Sequence, residues 1–243
     1  MKKLLTYLTA IILLVVVSNY SFSQKDSGMD KPLEKQLAKK RNSLKAKIGN
    51  KIGNKRTSTE KEDQMKAVAN ALKKGDKAID FTLMNATGEK VNLYDELKKG
   101  PVVLTWYRGA WCPYCNLALK SLQESLPEIK AQGATLIAIT PQLPDNSLSQ
   151  KEKNHLEFEI LSDVNNKVGK EYGIIFKLGK VQGERYNKFA KLDKVNGNSD
   201  RELPIPATYI IDQNGKIIYS FLDTDYTKRA EPSDLINALK ELK

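Results

Sequence analysis

The sequence predicts an α/β domain with a central mixed sheet flanked by helices, and three observations carry that expectation. Two nearly continuous apolar runs, "PVVLTWY" (Pro101–Tyr107) and "ATLIAIT" (Ala134–Thr140), suit strands buried on both faces. Between them Cys115–Ala131 places Leu117, Leu119, Leu122 and Leu126 at helical spacing. Strand, helix and strand joined by short connections make a parallel, right-handed βαβ unit. Near the C-terminus "TYIIDQNGKIIYSF" reads as a hairpin, because Asn-Gly supplies the positive φ of a tight turn. Parallel and antiparallel pairs together make the sheet mixed.

The remaining elements follow in chain order. Lys61–Lys74 carries Met65, Val68 and Leu72 at helical spacing and ends at Gly75, which predicts an amphipathic helix capping the domain. Phe81–Leu83 and Val91–Leu93 flank "NATGEK" and read as a hairpin. Pro141 ends the second buried strand. A polar, partly helical segment precedes a short strand at Glu159–Ser162, and Asn165–Glu171 reads as one or two helical turns. Residues 180–203 are polar without periodicity and read as a loop or insertion near the site. Pro232–Leu242 is a terminal helix with Leu235, Leu239 and Leu242 on one face.

The N-terminus reads as separate from this domain. Lys2 and Lys3 precede an apolar run from Leu4 to about Val17, and Ser21-Phe22-Ser23 supplies small residues for cleavage before Gln24. The run is shorter than the ~20 apolar residues of a membrane span. Residues 1–23 therefore read as a signal peptide, which implies export to the bacterial periplasm and no stable membrane anchor after cleavage. Residues 24–73 read as a basic arm with a helix, and residues 74–243 as the domain. The net charge of +11 is concentrated in the arm: residues 24–75 hold 15 Lys/Arg against 6 Asp/Glu, and residues 76–243 hold 23 of each. A basic arm on an exported chain reads as a solvated spacer rather than a nucleic-acid ligand. Within it "KIGNKIGNK" (Lys47–Lys55) repeats Gly and Asn, which break a helix.

The two cysteines, Cys112 and Cys115, lie in "TWYRGAWCPYC". As a staple this pair would close almost no loop and so add little stability. As a zinc site it lacks ligands, since His155 is the single histidine and sits among lysines. Neither a metal nor another cofactor is expected. The pair does fall where a buried strand hands over to a helix, with Cys112 at the helix start and Cys115 one turn in. Helix N-terminal amides favour an anion there, and thiolate is the reactive form of cysteine. Arg108 adds positive charge, and Pro113 suits the first helical turn. At this spacing the second sulfur can reach a mixed disulfide on the first. Trp111 and Tyr114 read as an apolar rim for a partner.

Several stretches resemble the alkyl hydroperoxide reductase / thiol-specific antioxidant (peroxiredoxin) family of the thioredoxin-like superfamily. They are "GDKAIDFTLMNATGEKVNLYDEL", "GPVVLTWYRGAWCPYC", "GATLIAITPQ", "FEILSD" and "LPIPATYIIDQNGKIIYSFLDTDYTKR", within residues 74–243. The resemblance implies a thioredoxin-like fold with about five central strands. It implies a redox-active Cys112/Cys115 pair that reduces hydroperoxides and is itself reduced by a thioredoxin-type dithiol protein. The motif admits two assignments. The thioredoxin pattern makes Cys112 the attacking thiol; the peroxiredoxin pattern puts Cys115 at the peroxidatic position, with Arg108 where the family has Pro and Cys112 where it has Thr. The family's later Arg falls at Pro206. "IPAT" (Ile205–Thr208) resembles the cis-proline segment that faces the cysteines, so Pro206, Arg108 and Trp111 are expected to position substrate. The thioredoxin assignment leads instead to a thiol–disulfide oxidoreductase acting on protein disulfides. A degenerate thioredoxin-like binding module is the third possibility.

Overall fold

The computed structural model describes residues 31–48 and 58–242. The leader at 1–23 and most of the Gly/Asn repeat lie outside the described residues. The sheet is mixed and has seven strands, where the resemblance implied about five. Its strands are β1 (Thr82–Asn85), β2 (Lys90–Asn92), β3 (Val102–Trp106), β4 (Thr135–Thr140), β5 (Glu159–Ser162), β8 (Ala207–Ile211) and β9 (Ile217–Leu222), in the order β2-β1-β5-β4-β3-β8-β9. A separate two-stranded ribbon pairs β6 (Ile175–Lys177) with β7 (Glu202–Pro204).

The two apolar runs form the centre. β3 pairs in parallel with β4, from Val102↔Thr135 to Trp106↔Ile139, and β4 pairs in parallel with β5. On its other side β3 pairs antiparallel with β8. Every residue of β3 is buried, and its side chains alternate between two cores. Val103 faces the layer that holds Leu119, Leu122 and Ile129. Leu104 and Trp106 face the layer that holds Ile137, Tyr172 and Tyr209. Each expected hairpin is present, β1–β2 and β8–β9.

The helices are α1 (Pro32–Ile48), α2 (Ser58–Asn70), α3 (Leu93–Leu97), α4 (Pro113–Glu124), α5 (Leu126–Ala131), α6 (Pro144–Lys153), α7 (Lys167–Glu171), α8 (Lys180–Ala190), α9 (Leu192–Asn196) and α10 (Pro232–Lys240). None of the described helices is long and apolar enough to cross a membrane. The helix expected over Cys115–Ala131 is two helices. Pro127 has no N–H with which to continue the hydrogen-bond ladder, and the first helix closes at Ser125.

Four expectations need correction. The segment 180–203 is not a loop: α8, α9 and β7 occupy it, and its Tyr186, Leu192 and Leu203 form a third apolar cluster with Ala67 and Phe176. Each helix there is short and polar, so its burial comes from spaced aromatic and leucine contacts rather than an amphipathic stripe. The second correction concerns α2, whose buried residues are Glu60, Gln64 and Ala67, with Ala71 just past its end, while Met65 is exposed. Small residues let the helix sit close against β6; the larger Met65 points to water. The third concerns the arm, which is not wholly a spacer. Helix α1 buries Leu33 and Leu37 completely or nearly so, in the same cluster as the cysteines. Finally, the Ile205–Pro206 peptide is trans, as are all described peptides. The Ile205 N–H donates to the Ile174 carbonyl at 2.8 Å and β8 begins at Ala207, so extended backbone carries the chain from ribbon to sheet in the ordinary isomer.

Candidate active site

The site grows from the end of β3. The Tyr107 N–H still donates to Ile139 on β4 at 2.9 Å, and then the chain leaves the sheet. Gly109 has φ +141°, and a Cβ there would come within 2.5 Å of the Trp111 indole nitrogen, so this turn requires glycine. Side chains from other elements hold the loop. The Ala110 N–H donates to Gln142 Oε1 at 2.7 Å, and the Ala110 carbonyl accepts from Asn116 Nδ2 at 2.8 Å. Asn116 Oδ1 accepts from Gln150 Nε2 at 2.9 Å, and Gln150 Oε1 accepts from the Tyr107 hydroxyl at 2.7 Å. Cys112 is the residue before α4, with extended φ −90° and ψ 112°, and Pro113 opens the helix. Cys115 lies in its first turn, as the spacing predicted.

Both cysteines are free and both are buried, at 1% and 0% exposure. Their environments differ. Burial pushes the Cys115 thiol up, but a hydrogen bond from Cys112, the Arg229 charge, the Arg108 backbone N–H and the Arg108 charge together hold it well below the ordinary thiol range. Arg229 Nη2 lies 3.0 Å from Cys115 Sγ. Burial pushes the Cys112 thiol well up, and its hydrogen bond to Cys115 and the charge there add to that shift, outweighing Arg108 and Arg229. The surroundings therefore favour the proton on Cys112 and the negative charge on Cys115.

Arg108 is 2% exposed and caged by three rings, with its guanidinium carbon 4.9 Å from the Trp111 centroid, 5.0 Å from Tyr186 and 4.6 Å from Tyr226. Burial opposes its charge, while Tyr186, Cys112 and Cys115 favour it strongly enough to hold it on. Arg229 anchors its other nitrogen, Nη1, on the Tyr226 and Lys228 carbonyls at 2.6 Å each.

Of the residues singled out from the sequence, Cys112, Cys115, Arg108 and Trp111 gather here. Continuing the β3–β8 register from Thr105↔Thr208 sets buried Pro206 opposite Tyr107, at the strand end where the cysteine loop starts. Tyr114 is buried and packs edge-on to Tyr226 at 5.7 Å, so it does not form a rim. Trp111 is half-buried and lies against Tyr186 and the exposed Phe189. Sequence reasoning missed Arg229, Asn116, Gln142 and Gln150. Arg229 stands 114 residues from Cys115, and no motif spacing links the two. Among the described residues no group of three or more His, Cys, Asp or Glu could hold a metal ion.

Two buried cysteines three residues apart at a strand-to-helix junction of a thioredoxin-like fold, beside two guanidinium groups, are the arrangement a thiol oxidoreductase uses. The AhpC/TSA family profile matches residues 74–220, more than half of the chain, and the protein belongs to that family. Peroxiredoxin Bcp of Escherichia coli K12 is 29% identical over 172 residues, covering 71% of this chain and 98% of that protein. Thiol-disulfide oxidoreductase ResA of Bacillus cereus is 25% identical over 145 residues, covering 59% and 66%. Among solved structures, peroxidoxin BcpB of Mycobacterium tuberculosis superposes with a TM-score of 0.57 at 20% identity, covering 71% of this chain and 99% of that one, which supports the fold. The protein is an oxidoreductase, a thiol-dependent peroxidase or thiol–disulfide oxidoreductase.

Proposed function

We propose that the protein is a peroxidase that reduces hydroperoxides through Cys115 and resolves through Cys112. The observation that carries this reading is the Arg229 guanidinium 3.0 Å from a Cys115 sulfur held well below its ordinary pKa. The Cys115 thiolate attacks the terminal oxygen of the hydroperoxide. An S–O bond forms, the O–O bond breaks, and the departing alkoxide takes the Cys112 proton to leave as an alcohol. Arg229 and Arg108 offset the negative charge that develops on the oxygens. Cys112, now a thiolate, attacks the Cys115 sulfenic acid and expels hydroxide, closing a 112–115 disulfide. An external dithiol protein of the thioredoxin type returns both sulfurs to the reduced state and is itself oxidised to a disulfide. Both sulfurs are buried, so substrate and reductant reach them only after side chains around Arg108 move aside.

Exchange with protein disulfides is the less favoured chemistry. It would use Cys112 as the attacking thiolate, and Cys112 is the sulfur that keeps the proton. The same proposal sets the activity outside the cytoplasm, on the strength of the leader-like residues 1–23. Cell fractionation tests that part: full-length chain starting at Met1 and recovered from the cytosol would overturn export.

Stopped-flow mixing of reduced protein with an alkyl hydroperoxide tests the chemistry. We expect oxidation at least a hundredfold faster than that of free cysteine. Cys112→Ser should retain a single fast step and stop at the sulfenate, and Cys115→Ser should lose it. A reduced protein that reacts with peroxide no faster than free cysteine, yet rapidly reduces a disulfide substrate, would replace this reading by the exchange one.

A further inference from the structure

We infer that Arg41, on the N-terminal helix α1, is a positioning residue for the reaction, acting on the Cys115 thiolate through the loop that carries Arg229. The inference rests on Cys115 being the attacking thiolate, as proposed above.

The loop between β9 and α10, residues 223–231, is fastened to α1 on both sides of Arg229. Two residues before it, the Thr227 hydroxyl accepts from Arg41 Nε at 3.0 Å and from Arg41 Nη2 at 2.6 Å. Thr227 in turn donates its N–H and its hydroxyl to Asp225 Oδ1, at 3.0 and 2.7 Å. Asp225 Oδ2 lies 3.8 Å from Arg41 Nη2. Two residues after Arg229, the Glu231 carboxylate accepts the first free N–H groups of α1, from Leu33 at 2.9 Å and Glu34 at 3.1 Å. Thr227 and Glu231 are 5% and 3% exposed; without the α1 amides the buried Glu231 carboxylate would lose both of those donors, and without Arg41 the Thr227 hydroxyl would keep its bond to Asp225 but lose its tie to α1. Lys31 bonds Asp234 on the same side at 3.3 Å.

These fastenings matter because Arg229 acts on the sulfur most strongly while it stays in contact. A hydrogen bond is lost within about an ångström of stretching, and the Coulomb attraction weakens as the charges separate. The strongest influences on the Cys115 sulfur come from Cys112, Arg229 and Arg108. Arg41 bonds Thr227 in the Arg229 loop, so its influence runs through the loop. Helix α1 is also built into the same apolar layer, where Leu33 and Leu37 share a cluster with Cys112, Tyr114, Cys115 and Leu119. Both parts of this device, α1 and the Arg229 loop, lie outside residues 74–220, the segment that matches the family. They supply the guanidinium that the family pattern would have placed at Pro206.

The test is an ultraviolet titration of the Cys115 thiolate in the full-length chain carrying Cys112→Ser, compared with the same chain carrying Arg41→Ala, Thr227→Val or both. We expect each single change to raise the titration midpoint by about half a pH unit or more, and to slow hydroperoxide oxidation at pH 6 about threefold. The double change should do no more than the larger single one, because both act through one contact. Arg41→Lys, which keeps a donor for Thr227, should recover part of the shift. An unchanged midpoint in a folded Arg41→Ala protein would overturn the inference, and so would additive shifts. If Arg41→Ala fails to fold, the near-isosteric Thr227→Val decides alone by the same criteria. The titration contains no peroxide, so a parent protein that ignores peroxide would sink the proposed function and leave this reading to stand or fall on its own shift.

Discussion

Cys112 caps the start of α4 and Cys115 lies in its first turn, yet their pKa values are pushed in opposite directions: burial and the Cys115 sulfur raise the Cys112 thiol, while the hydrogen bond from Cys112 and the nearby cations lower the Cys115 one. In the unfolded chain both return to about 8.5. Between the depressed Cys115 value and that point, the unfolded state binds a proton that the folded state lacks. The contribution of Cys115 to stability is therefore complete above the unfolded pKa and is lost as pH falls through the folded one. For Cys112 the folded state holds the extra proton, so its contribution is complete below the unfolded pKa and is lost at alkaline pH. Reduced protein should accordingly gain stability as pH rises toward about 8.5, and Cys115→Ser should lack that gain. Urea midpoints across the pH range, in a phosphine reductant, would show it; parallel curves would contradict the ionisation pattern. Arg229→Met removes the cation in contact with the sulfur. Its thiolate titration should move up by about one unit or more, with a loss of about tenfold in peroxide rate at pH 6. A profile that stays in place would leave Arg229 with a packing role.

At the scale of elements, the junction between β3 and α4 decides whether the pair is usable. Gly109 and the chain Tyr107–Gln150–Asn116–Ala110 shape it. Gly109→Ala forces a φ of +141° on a residue with a Cβ and presses that Cβ into the Trp111 ring. We expect a loss of about 2 kcal/mol in chemical denaturation, with the Trp111 fluorescence altered. An alanine variant as stable as the parent would mean that the turn relaxes freely. The junction itself was legible in the sequence, since a continuous apolar run, a glycine, a proline and leucines at helical spacing leave little choice for Val102–Glu124. The hydrogen bonds around it were not, because Gln142 and Gln150 arrive from the next crossover and glutamines carry no pattern of their own. Helices α8 and α9 escaped notice for a related reason: Tyr186, Leu192 and Leu203 find each other across different elements. The basic composition of α1 concealed its role. Leu33 and Leu37 form one buried stripe on a helix whose remaining surface is lysine-rich, and the charge dominates any reading by composition.

For the molecule as a whole, the mixed sheet and its parallel βαβ centre followed from the continuous apolar runs, whereas the positive charges at the cysteine pair came from residues with no mutual spacing. Those charges make the two redox states unequal. A 112–115 disulfide closes almost no loop, so it restrains the unfolded chain little. It also deletes the thiolate, leaving the half-buried Arg229 and the buried, caged Arg108 without their anion. The oxidised protein should therefore melt a few degrees below the reduced one. Calorimetry on the two forms would decide this, and an oxidised form that melts higher would argue against a stabilised thiolate. The ring cage around Arg108 then gains a meaning in terms of driving force. Trp111, Tyr186 and Tyr226 keep a guanidinium in place whatever the sulfurs are doing, so the disulfide is the less comfortable partner for its surroundings. On the proposed cycle, that imbalance favours regeneration by an incoming dithiol.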